Sequence, residues 1–136
     1  MAESTFRREV VATVRVAAAP DHLDAAGWPA DATVLRTAVD EVLLLDALDA
    51  TPPEPHAIVF PDMGWVRFVV SAADGREIMS RSATWPAPAA VSGPALGQGM
   101  VAGIPVKLVV DEAEWWFVVQ AVVADEFEQR VREVLS

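Results

Sequence analysis

The run from Ile104 to Ala124 leaves the chain few ways to fold. Ile104–Val110 is mostly β-branched and apolar, Asp111-Glu112-Ala113-Glu114 is a short acidic link, and Trp115–Ala124 is apolar again except for Gln120. Two such runs around a short polar link predict a β-hairpin. Alternation along the second run puts Trp115, Phe117, Val119 and Ala121 on one face. Trp116, Val118, Gln120 and Val122 fall on the other. A strand with one wet face alternates apolar and polar residues. This one is apolar on both faces, so both need cover, either from this chain or from a partner.

The chain has 136 residues, which suits one compact domain over 1–136, with two small packed subdomains (1–61 and 62–136) as the alternative partition. Hydrophobic residues make up 53% of it, above the usual share. Alanine enrichment accounts for part of that excess; apolar surface hidden in an assembly would account for the rest. The formal net charge of −10 argues against nucleic-acid binding and against anionic membranes. There is no cysteine, hence no disulfide, thiolate nucleophile or Cys-ligated zinc. The first ten residues lack the apolar run of a signal peptide, and no apolar run reaches the length of a membrane span. A cytoplasmic protein is expected.

Glu9–Ala18 reads as one strand carrying Val10, Val11, Val14 and Val16, with Arg15 between the last two. Asp21 is placed to cap a short helix that Gly27 would close. Thr33–Leu48 has the propensity of a helix, yet the continuous Leu43-Leu44-Leu45 and a turn at Val39-Asp40-Glu41 also fit two strands. His56–Pro61 and Trp65–Val70 read as strands around an Asp62-Met63-Gly64 turn, and Ser71–Ser80 as a short helix started by Ser71 or Asp74. Trp85–Gly99, rich in Pro, Ala and Gly, has no period and reads as the longest loop. The clearest helix is the last. Asp125-Glu126-Phe127-Glu128 has a capping-box pattern, Phe127, Val131, Val134 and Leu135 form a stripe, and Glu126/Arg130 and Glu128/Arg132 are spaced for ion pairs.

Little in the sequence speaks of reaction chemistry. His22 and His56 are the only histidines and sit in no ligand-spaced cluster, so no metal site is expected. Ser71, His56 and Asp62 are the types of a hydrolytic triad, without a nucleophile-elbow motif to support one. Gly97-Gln98-Gly99-Met100-Val101-Ala102-Gly103 has the wrong spacing for a dinucleotide fingerprint, and its glycines read as turn residues leading into the hairpin. Asp62 is the one weak candidate for a catalytic carboxylate. Trp65, Trp85, Trp115 and Trp116, with Met100, are candidates for a partner interface, since tryptophan is enriched at binding hot spots.

Three segments together resemble the small (gamma) subunit of heterotetrameric sarcosine oxidases, a group related to the folate-binding glycine-cleavage T-protein. Val34–Leu44 resembles that family's strand, turn and strand. His56–Val59 through Asp62-Met63-Gly64 and Val66-Arg67-Phe68, followed by Ser71–Ser80, resembles its strand, Asp-Gly turn, strand and helix. Gly103–Leu108 through Phe117-Val118-Val119 and Phe127 resembles its final hairpin and helix. Val42 stands where the family has a turn Trp, Ala38-Val39 where it has Gly-Pro, and Thr51–Pro55 where it has a helix. The resemblance implies two strands over Thr33–Asp46. It also implies a non-catalytic subunit packed on larger flavoprotein subunits, with FAD or FMN and folate bound by those partners and no cofactor on this chain alone.

The expectation is therefore an α+β chain. A mostly antiparallel sheet would be covered on one face by the Ser71–Ser80 and Asp125–Leu135 helices. The other face, with the Trp85–Gly99 loop, would meet a larger subunit. The rival expectations are a free-standing folate-binding one-carbon transfer domain using Asp62, and a self-associating domain that buries the same face in a homodimer.

Overall fold

In a computed structural model, described for residues 6–91 and 93–136, the hairpin forms as β8 (Ile104–Val110) and β9 (Glu114–Gln120). They pair antiparallel with Val110 opposite Trp115 and Lys107 opposite Val118. Earlier in the chain come β1 (Arg7–Val11), β2 (Thr13–Ala17), α1 (Pro20–Ala25), β3 (Thr33–Ala38), β4 (Glu41–Leu45), β5 (Ile58–Pro61), β6 (Trp65–Ser71), α2 (Ala72–Ser82) and β7 (Ala95–Val101). A 3₁₀ turn, Ala121–Val123, leads into α3 (Ala124–Leu135). The α+β class is as expected, with two sheets in place of one: β1-β6-β9-β8-β7 and β3-β4-β2-β5.

The chain divides into two compact units. One comprises the N-terminal residues to Val10 and Val66–Ser136; the other is Val11–Trp65. In the first, α2 and α3 cover one face of the five-stranded sheet, as expected. Trp115, Phe117 and Val119 of β9 meet Ile78 and Met79 of α2 and Phe127 and Val131 of α3 in a single core. Phe127 is its hub, with ring centroids 5.3 Å from Phe68 and 5.9 Å from Phe117. Truncating such a fully buried ring costs about 3–5 kcal/mol.

β9 lies between β6 and β8, in the middle of its sheet. β6 and β8 pair with its edges, and its two faces are covered by packing. On the face away from the helices, Val118 is 0% exposed and Arg67 lies 4.4 Å above the Trp116 ring. The expectation that this strand presents a bare face to a partner is therefore not met. Both faces of β9 are thus buried within this chain, Phe117 and Val119 on one and Val118 on the other, each 0% exposed.

Several local expectations are corrected. Glu9–Ala18 is two strands, broken at Ala12 and belonging to different sheets. The N-cap of α1 is Ala19 with Pro20 at the first helical position, and Ala26, not Gly27, ends the helix. β9 stops at Gln120, and α3 is capped by Val123 without a side-chain bond. Asp125 and Glu126 instead occupy its first turn, where the helix dipole favours them. Ser71 does cap α2, accepting a hydrogen bond from the Asp74 N–H at 3.1 Å. Both ion pairs predicted on α3 form.

Thr33–Asp46 is a strand pair, not a helix, with Leu43, Leu44 and Leu45 all buried on β4. In the second unit, β3-β4-β2-β5 is antiparallel throughout. Val14, Val16, Val42 and Leu44 on one face close over Leu23 of α1.

The loop expected over Trp85–Gly99 ends earlier than predicted, because Ala95–Gly99 belongs to β7. Gly97 and Gly99 are strand residues, and the Trp85 indole lies against them. A Cβ added at Gly99 would come within 2.5 Å of that ring, and one at Gly97 within 2.9 Å. The indole N–H then donates to the Met100 carbonyl at 2.8 Å. Between β7 and β8, Ala102 (φ 52) and Gly103 (φ 79) form a two-residue turn with both residues left-handed, the type I′ arrangement that suits hairpins. Arg130 of α3 donates to the Ala102 carbonyl and pins that turn.

Candidate functional site

Asp62 follows β5 directly, and its backbone N–H donates to the Thr13 carbonyl at 2.9 Å. This fixes its side chain beside Arg15 of β2. Oδ2 of Asp62 accepts from Arg15 Nη2 at 2.9 Å, Arg15 Nε at 3.2 Å and Trp65 Nε1 at 2.9 Å. The same arginine reaches Glu41 Oε1 at 2.5 Å, and Glu41 also accepts from the Thr37 hydroxyl at 2.7 Å. One arginine between two carboxylates thus ties β2, β3, β4 and the segment after β5 together within the Val11–Trp65 unit.

The electrostatics oppose a catalytic role for Asp62. Burial pushes its pKa up. The hydrogen bonds from Trp65 and Arg15, with the Arg15 charge and the Gly64 N–H, outweigh burial and hold it below the ordinary carboxylate range. A general base needs a pKa near the working pH and a lone pair aimed at substrate. Asp62 has a lowered pKa and an oxygen that already accepts three hydrogen bonds. Its chemistry is that of a clamp.

The other candidates are scattered. Ser71 is spent on capping α2. His56 is exposed on the connection before β5, and its backbone N–H bonds Glu54. His22 sits in the last turn of α1. Among the described residues no group of three or more His, Cys, Asp or Glu could hold a metal ion. Of the tryptophans named as interface candidates, Trp65 and Trp115 are core residues, 7% and 5% exposed. Trp116 is half-buried, stacked under Arg67 and bonded through Nε1 to Glu114. Trp85 is half-buried against β7, and Met100, 52% exposed, is the most accessible of the five. Trp115 packs in the core between β9, α2 and α3, and Trp65 donates its indole N–H to Asp62.

Two arginines escaped sequence reasoning. Arg15 is the organiser of the Asp62 clamp; its signal was a cation set between valines in an apolar strand. Arg76, on α2, has no acidic residue three or four positions away on either side. Every other arginine of the chain lies within ion-pair range of a carboxylate.

No family profile matches this sequence, and no curated protein is similar to it at the level of sequence. Among solved structures, the chain superimposes on a chain of the heterotetrameric sarcosine oxidase from Corynebacterium sp. U-96, determined in complex with pyrrole 2-carboxylate. The TM-score is 0.71 at 16% identity, over 96% of this chain and 83% of that one. The two chains share a fold. At that identity the likeness speaks for architecture alone, and it extends over both units of the chain. Among the described residues, no helix is long and apolar enough to cross a membrane.

Proposed function

We propose that this chain is a small, non-catalytic subunit of a flavin-dependent amine-oxidising complex, packed on larger flavoprotein subunits. The observation that carries the proposal is the fold shared over 96% of the chain with a chain of a heterotetrameric sarcosine oxidase. Two further features support it. Asp62, the one candidate for chemistry, is engaged by Arg15 and Trp65. Among the described residues, no group of three or more His, Cys, Asp or Glu could hold a metal ion. FAD or FMN, and folate, belong to the partner subunits in this reading, and this chain contributes surface and stability.

Both faces of β9 are buried within the chain. Exposed apolar side chains remain at Ile58 and Phe60 on β5, at Met63 and at Met100. A homodimer would use similar residues, and mass measurement separates the two. The test is purification under native conditions. A stoichiometric complex with a yellow flavoprotein supports the reading. A dilution-stable monomer, or a homo-oligomer free of flavin, counts against it.

A further inference from the structure

A cleft of about 440 Å³ opens beside α2, bounded by the segment that carries Trp85. An edge of Trp115, a ring otherwise buried, reaches its floor. Its indole sits flush under α2 because residue 75 is glycine: a Cβ there would come within 2.4 Å of the ring. Trp85 forms a wall and is held in place by its bed of Gly97 and Gly99 and by the bond from its Nε1 to Met100. Both ring positions thus depend on glycine, and both are fixed before any ligand arrives.

Arg76 stands at this cleft, its guanidinium carbon 6.0 Å from the Trp115 ring centroid. The chain carries 20 acidic residues against 10 basic ones. Among the described residues, Arg76 is nevertheless the one arginine without a carboxylate in ion-pair range. Acid is abundant and the other arginines are neutralised, so this cation is left to face the cleft. The hydroxyls of Ser80 and Thr84 also line it. A flat apolar wall at Trp85, one cation without a carboxylate among the described residues and two hydroxyl-bearing residues complement one kind of ligand.

We propose that this cleft binds an organic anion in which a carboxylate adjoins a flat apolar body. The ring system would lie against Trp85, over the edge of Trp115, and the carboxylate would pair with Arg76 through its two-pronged guanidinium. The proposal stands apart from the subunit reading and holds whether or not a flavoprotein partner exists.

The probe is 2-naphthoate, with the neutral 2-naphthalenemethanol as its isostere. The readout is the shift of the indole N–H resonances of the ¹⁵N-labelled full chain. The naphthoate is expected to move two of the five tryptophan signals, those of Trp85 and Trp115, in a saturable way. The alcohol, lacking the ion pair, binds about fivefold more weakly. Arg76→Gln brings the naphthoate down to the level of the alcohol, and Arg76→Lys keeps part of the difference. Thr84→Glu, on an exposed part of the wall, places a competing carboxylate in the cleft and weakens naphthoate alone. Any of three results overturns the proposal: no saturable shift at millimolar naphthoate, equal binding of acid and alcohol, or affinity unchanged in both Arg76→Gln and Thr84→Glu.

Discussion

Replacing Asp62 by alanine separates a clamp from a catalytic carboxylate. The substitution removes three hydrogen bonds to Oδ2, two from a guanidinium and one from an indole, and leaves Arg15 with Glu41 as its remaining carboxylate. The side chains are partly screened, 22% exposed for Arg15 and 26% for Asp62. Hydrogen bonds to charged groups contribute about 1.5–3 kcal/mol each when buried, and much less when solvated. A loss of about 2–3 kcal/mol is expected. For a chain of this size that corresponds to about 6–9 °C in Tm. Asp62→Asn keeps an acceptor for Trp65 and should lose about half as much.

The pH dependence is the sharper readout. Asp62 has a folded pKa below its unfolded value. Its contribution is therefore complete above the unfolded value and is lost as pH falls through the folded one. In urea melts at a series of pH values, the gap between wild type and Asp62→Ala should be constant from pH 7 to about 5 and close at more acid pH. A gap below about 0.5 kcal/mol at pH 7, or one that persists unchanged into acid, would refute the clamp.

Three further substitutions probe the architecture. Gly75→Ala gains about 1 kcal/mol of helix propensity but must displace the Trp115 indole; a net loss of about 1 kcal/mol is expected, and it should vanish when Gly75→Ala is made in a Trp115→Ala background in a double-mutant cycle. Ala102→Gly removes a left-handed alanine from the β7–β8 turn and should stabilise by about 0.5–1 kcal/mol, measured by thermal melting. Thr13 is fully buried and its hydroxyl has no hydrogen-bond partner among the described residues, so Thr13→Val should be neutral or stabilising by up to about 2 kcal/mol in denaturant titration.

Hydrophobic periodicity made the β8–β9 hairpin, the stripe of α3 and the inward face of β9 legible in the sequence, because burial selects those residues directly. Three features were not legible, each for a reason. β7 was hidden because Gly97 and Gly99 lower strand propensity, and their purpose, seating Trp85, depends on a residue more than ten positions earlier. The break at Ala12 was hidden because both strands it divides are equally valine-rich; only pairing shows that they serve different sheets. Helix propensity over Thr33–Leu48 was misleading because tertiary burial of Leu43–Leu45 outweighs it, and the family resemblance pointed to the correct strand pair. Of the candidate site, Asp62 was visible as an acid in a turn, whereas its environment was not. The distance that disarms it, from Oδ2 to Arg15, spans 47 positions of sequence.

The apolar pattern of β9 also fooled simple reasoning about partners. Apolarity on both faces marks a strand whose own chain covers both faces as readily as one that meets a partner, and here Phe117, Val118 and Val119 are all 0% exposed. The subunit proposal therefore rests on shared architecture, and one measurement tests it most directly. An affinity-tagged chain, expressed at its natural level and purified gently, would be sized by light scattering and scanned for visible flavin absorbance. The account predicts a hetero-oligomer of fixed stoichiometry that is yellow and oxidises a secondary amine. A colourless species of constant mass on dilution, monomer or homodimer, would contradict it.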